Sequence, residues 1–166
     1  MNVGGAAQNV LLSLQGHIES GHYAALVTGP TEGPEGSLLT HESPDGLHVE
    51  VLEHLIREVH PWHDMLALWE LWRYFRDGRF DVVHTHASKA GILARVAATW
   101  AGVPAIVHTQ HGIVGHRQLH RAAQRLFDTA ERFASGYCGQ LLAVSQSTID
   151  SCVAQGIAPA KRYKVV

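Results

Sequence analysis

Cysteine is scarce in this sequence, with only Cys138 and Cys152 among 166 residues, and neither stands at metal-ligand spacing from another cysteine or histidine. That excludes a cysteine-built zinc cage. The thiols read as the reduced groups of a cytoplasmic protein, with a single disulfide left open. Charge of one sign is also missing. Thirteen Lys and Arg stand against fifteen Asp and Glu, for a formal net charge of -2. No Lys/Arg block or RNA-binding aromatic motif occurs, so a nucleic-acid partner is excluded. No apolar run approaches the roughly 20 residues that span a bilayer, and the N-terminus lacks a charged segment followed by an apolar one. A last shortage concerns the beginning. Only Met1, Asn2 and Val3 precede Gly4-Gly5, although in a doubly wound sheet such a glycine loop hangs from the end of a first strand. The expectation is a chain cut at its front and at its back, with a strand of about five or six apolar residues preceding Gly4 in the natural protein.

What is present is a well-patterned apolar chain, 46% hydrophobic and 17% charged, long enough for one domain over residues 1–166. Val10, Leu11, Leu14 and Ile18 share one face of a helix over 6–20 that Gly21 stops. A short strand over 23–28 follows. The stretch 29–47 is a long loop rich in Gly, Pro and Ser, and 48–52 is another short strand. After Pro61, the residues Met65, Leu68, Trp69, Trp72 and Phe75 recur at helical spacing up to Gly78. Strands over 81–85, 105–109, 140–144 and 163–166 alternate with helices over 88–100, 119–134 and 147–155. Leu119, Ala122, Ala123, Leu126, Phe127, Ala130, Phe133 and Ala134 form the apolar stripe of the second of these helices. Such alternation implies an α/β fold: a Rossmann-like parallel sheet with right-handed crossovers and helices on both faces.

In an open parallel sheet, ligands sit beyond the carboxyl ends of the strands. Polar residues collect there: His84-Thr85-His86 and Ser88-Lys89 after one strand, His108-Thr109-Gln110-His111-Gly112 after the next, and Ser145 after the third. Alternation puts His84 and His86 on one face. Any single histidine here reads as a half-buried residue bonded to a loop carbonyl, but three polar strand ends in succession read as a site. Zinc catalysis is disfavoured, because no H-E-x-x-H or carboxylate-rich partner lies near the H-x-H or H-x-x-H pairs. A serine hydrolase is disfavoured because Ser145 lacks the G-x-S-x-G elbow.

The runs DVVHTHASKAGILAR (81–95), AGVP (101–104), HTQHG (108–112) and AVS (143–145), with Gly4-Gly5-Ala6 and REVHPWHD (57–64), resemble the N-terminal domain of family-4 glycosyltransferases. The resemblance implies one half of the two-domain GT-B fold and a retaining sugar transferase. Its co-substrate would be a nucleotide-diphosphate sugar, with no metal or other cofactor. The acceptor would be a saccharide or a lipid-linked one, as in polysaccharide, glycolipid or lipid-linked oligosaccharide synthesis. The donor-binding domain would begin after Val166, leaving this fragment inactive alone.

Carried over by position, His111 lies beside the transferred sugar as the catalytic-site histidine, and Gly4, Gly5, Ser88 and Lys89 face the donor phosphate or sugar. Arg57, His84, His86, His108 and Ser145 line the acceptor side of the cleft, near His60 and His63. The sequence departs from its relatives at Ile113-Val114-Gly115-His116, where they carry an aromatic-rich loop. Arg117, Arg121 and Arg125 lie four apart on one helix face. They read as a solvated face, and family resemblance adds weak contact with a membrane surface at the inner side of a cytoplasmic location. Two other readings stand beside this one: a non-catalytic α/β ligand-binding module, and half of a GT-B-type sugar-nucleotide epimerase.

Overall fold

The computed structural model describes residues 5–30, 44–112 and 121–166. Gly4, Arg117, Leu119, the segment 113–116 and most of the long loop lie outside the described residues. Where length predicts one domain, the chain divides into two compact units, Met1–Ala67 and Leu68–Val166.

The first unit opens with helix α1 (Gly5–Glu19). Its end is fixed by Gly21 at φ 82°, which lets the Gly21 N–H reach the Ile18 carbonyl (2.9 Å) and the His22 N–H reach that of His17 (3.0 Å). This pair of bonds satisfies carbonyls that a helix end leaves open, and glycine takes the left-handed turn without a Cβ penalty. α1 buries Ala7, Val10 and Leu11, with Ala7 and Leu11 packed against Leu26 and Leu47. Strands β1 (Ala25–Thr28) and β2 (His48–Val51) pair in parallel, Ala25 opposite His48 and Thr28 opposite Val51. Helix α2 (Pro61–Gly78) starts in this unit. Proline suits the first helical position, and the Asp64 carboxylate accepts from the His60 N–H at 3.2 Å.

The second unit is a four-stranded parallel sheet in the order β3-β4-β5-β6. Its strands are β3 (Val82–His86), β4 (Ala105–Gln110), β5 (Gln140–Ala143) and β6 (Tyr163–Val165). Helices α3 (Ser88–Ala101), α4 (Arg121–Ser135) and α5 (Gln146–Ala154) connect them in turn. α3 ends on Gly102 at φ 76°, whose N–H returns to the last helical turn. Val83, Ile106, Leu141 and Ala143 from the sheet, Ala97 and Ala98 from α3, Ala134 from α4, and Ile149 and Cys152 from α5 are buried. Each large apolar side chain so buried contributes about 1.5–3 kcal/mol.

The strands are parallel as expected, and among the described residues they form two ladders, of two and four strands. The inward face of α4 differs from its predicted stripe. Leu126 and Phe133 are 69% and 62% exposed, while Glu131, Ala134 and Ser135 are buried, because Glu131 turns inward to meet a cation on α3. No helix among the described residues is long and apolar enough to cross a membrane.

Candidate active site at the strand ends

The carboxyl ends of β3 and β4 lie side by side, with Thr85 opposite His108 and His86 opposite Thr109. Strand alternation turns Val83 and Thr85 inward, where both are buried, and places His84 and His86 together on the other face. Their ring centroids are 4.3 Å apart. His84 Nε2 lies 2.7 Å from Thr109 Oγ1. His86 Nδ1 lies 2.8 Å from His111 Nε2, with those rings centred 5.1 Å apart at 32°. Three of the predicted histidines, His84, His86 and His111, therefore form one contiguous group.

Ser88 and Lys89 are the first two residues of α3. First-turn amides have no acceptor inside a helix and lie at the positive end of its dipole, so this end favours an anion. Between β3 and α3, Ala87 adopts φ 62° and ψ 162°, a conformation that glycine takes far more readily. The helix then comes down onto β4. A Cβ on Gly91 would lie 2.9 Å from His108 Cε1 and 3.2 Å from the His86 carbonyl oxygen, so only glycine permits that approach.

His108 corrects an expectation. It is predicted on the acceptor side of the cleft, yet it is 0% exposed, sealed under α3, and cannot touch an acceptor. Its Nδ1 lies 2.8 Å from Thr85 Oγ1 and its Nε2 3.6 Å from Glu131 Oε1. The same Thr85 hydroxyl donates to the Val107 carbonyl at 3.2 Å, which leaves the His108 Nδ1–H to donate to Thr85 Oγ1. Ser145 is likewise occupied: it caps α5, its oxygen accepting from the Thr148 N–H at 3.2 Å, as helix N-cap serines do. Gly5 opens α1 and Arg57 is an exposed residue after β2. Both belong to the first unit, so the strand-end group consists of second-unit residues.

Beneath the histidines lies a polar cluster that sequence reasoning missed. Arg95 on α3 and Glu131 on α4 are both 0% exposed and pair at 2.6 Å. Gln110 Nε2 donates to the same Glu131 oxygen at 3.3 Å, and Arg95 Nε donates to the Gly91 carbonyl at 2.8 Å. A signal existed. Arg95 interrupts the apolar face of α3 that Gly91 and Ala98 share, and Glu131 interrupts the face of α4 that Phe127 and Ala134 share.

Burial holds the imidazoles neutral. Loss of solvent, reinforced by His84 and His111, lowers His86 to about 3. Burial first, then Arg95 and the neighbouring histidines, keep His108 well below its usual value, and burial lowers His111. Burial pushes the Glu131 carboxyl up, against the pull of Arg95. At neutral pH the uncharged rings of His86 and His111 therefore offer hydrogen bonds suited to sugar hydroxyls. No set of three or more His, Cys, Asp or Glu among the described residues is arranged to hold a metal ion.

A parallel α/β sheet with polar strand ends beside a helix N-terminus defines a Rossmann-like α/β domain, and the comparisons narrow it. The chain belongs to the glycosyl transferase 4-like domain family, which it matches over residues 4–166. An Escherichia coli protein, UDP-Gal:alpha-D-GlcNAc-diphosphoundecaprenol alpha-1,3-galactosyltransferase, is 31% identical over 119 residues, 72% of this chain and 31% of that one. Among solved structures, Anabaena HepE in complex with UDP and glucose superposes with a TM-score of 0.67 at 19% identity, covering 98% of this chain and 40% of HepE. The UDP-GlcNAc 2-epimerase of Methanocaldococcus jannaschii superposes at 0.55 with 12% identity, covering 86% of this chain and 45% of the epimerase. At those identities the structural matches establish the fold. The chain spans under a third of the length of the E. coli relative and less than half of either solved structure.

Proposed function

We propose that the chain is the acceptor-side half of a retaining glycosyltransferase, which moves a sugar from a nucleotide-diphosphate sugar to a saccharide or lipid-linked acceptor. The observation that carries this reading is the coincidence of the family match over 4–166 with a group of neutral imidazoles at the sheet's carboxyl edge. The names of the E. coli relative and of the HepE complex favour a UDP-sugar donor and a lipid-linked acceptor.

In this reading His111 contacts the transferred sugar, and Ser88, Lys89 and the start of α3 face the departing diphosphate. His84 and His86 stand on the acceptor side. The remaining cations that neutralise the diphosphate belong to the donor-binding half. Catalysis is electrostatic: fixed dipoles and cations stabilise leaving-group charge while the acceptor hydroxyl attacks. No metal or other cofactor takes part, Lys89 and the helix amides adding to the positive charge of the donor-binding half. The working location is cytoplasmic, at the inner face of the membrane, where the exposed Arg121 and Arg125 of α4 meet anionic headgroups.

The epimerase likeness keeps a second reading in view. Incubating the complete enzyme with radiolabelled UDP-hexoses, with and without a polyprenyl-diphosphate-linked saccharide, separates the two. The transferase reading expects label in the lipid-linked product, with the anomeric configuration of the donor kept. Interconversion of UDP-sugars without acceptor, and no labelled lipid, would replace it with the epimerase.

A further inference from the structure

The contact between His86 and His111 carries more than proximity. Two neutral imidazoles that meet nitrogen to nitrogen hold one proton between them, so one ring donates and the other accepts. At 2.8 Å that bond occupies Nε2 of His111 whichever way the proton lies. Addition of a proton to His111 leaves the tie intact, because Nε2–H still donates to His86 Nδ1.

We propose that His86 is a positioning residue for His111, holding its ring through the Nδ1 to Nε2 bond so that His111 presents only Nδ1 to a hydroxyl of the bound sugar. The inference rests on the placing of His111 beside the transferred sugar. Three features of the fold support it. His86 is itself held, its ring against that of His84 with centroids 4.3 Å apart at 37°, and His84 is in turn tied to Thr109. His86 is also the last residue of β3, paired in register with Thr109 of β4, so its backbone has little freedom. Finally, its carbonyl lies against Gly91 of α3, which clamps the strand end from the other side.

The titratable and charged groups on the surrounding elements are His84 on β3, His108 on β4, Lys89 and Arg95 on α3, and Glu131 on α4. Burial and the neighbouring histidines keep His86 uncharged at neutral pH. It therefore acts through orientation, without lending charge to His111.

The test is ring-nitrogen NMR on the 15N-labelled 166-residue chain between about pH 5 and 8, comparing the wild type with His86→Phe and His86→Asn. Phenylalanine keeps a ring against His84 and removes the bond, whereas the Asn amide stands where Nδ1 stood. The expected result is a His111 Nε2 signal shifted by hydrogen bonding in the wild type, loss of that shift in His86→Phe, and its recovery in His86→Asn, with backbone amide signals of β3 and β4 retained. In the complete enzyme, His86→Phe should lower kcat about fivefold to tenfold, the worth of one hydrogen bond, with KM for the nucleotide sugar little changed. An identical His111 Nε2 signal in all three proteins would overturn the proposal. The NMR result does not depend on sugar transfer, so it can fail while the transferase reading stands, and the reverse.

Discussion

At the scale of single residues, the joint between β3 and α3 sets the site. Ala87 holds a backbone conformation that costs a non-glycine residue about 1–3 kcal/mol, and it does so between His86 and Ser88. Four residues on, Gly91 lets α3 rest on the His108 ring. In an ordinary helix interior, replacing glycine by alanine stabilises by about 1 kcal/mol. Here the added methyl would stand 2.9 Å from His108 Cε1 and 3.2 Å from backbone oxygen. The His108 ring is fully buried and the oxygen is held in the sheet, so neither gives way easily. Gly91→Ala should therefore destabilise the chain, by about 1–3 kcal/mol as overpacked cores do. Urea titration followed by circular dichroism reads this directly, and a gain in stability would contradict the tight seat of α3.

Among elements, the Arg95–Glu131 pair joins α3 to α4 and, through Gln110 and His108, joins both to β4. Taking two charges out of water is costly, and the pair recovers that cost only while both partners are present. Removing one leaves a buried, uncompensated charge. Arg95→Met should cost about 3–5 kcal/mol, and Arg95→Met combined with Glu131→Leu distinctly less. Denaturant midpoints of the two variants decide the matter, and equal losses in both would show that the charges are not coupled. This cluster also marks the limit of what the sequence reveals. Periodicity and punctuation place β3 at 81–85 and α3 at 88–100, against Val82–His86 and Ser88–Ala101, because Gly102 and Pro104 end the helix and alternating valines mark the strand. The adjacency of His84 and His86 follows from the same alternation. Arg95 meeting Glu131 has no such local signature, since only tertiary packing brings those helices together. The burial of His108 is hidden for a like reason: it depends on Gly91 admitting a helix from elsewhere in the chain. Ser145 reads from sequence as a polar strand end, and a cap looks the same as a ligand until the helix behind it is seen.

For the whole molecule, the chain matches its family along nearly its full length and covers only part of each relative. In the proposed reading this chain supplies the acceptor side of the reaction. The central claim is that His111, just past the carboxyl end of β4, meets the sugar that is transferred, and not the nucleotide that carries it. It is tested most directly by measuring kcat and UDP affinity together for the complete enzyme and its His111→Ala variant. The account predicts a fall in kcat of about 10²-fold, the usual effect of losing one polar contact at a reacting centre, with the UDP dissociation constant little changed. A loss of UDP affinity as large as the loss in rate, or an unchanged kcat, would contradict it.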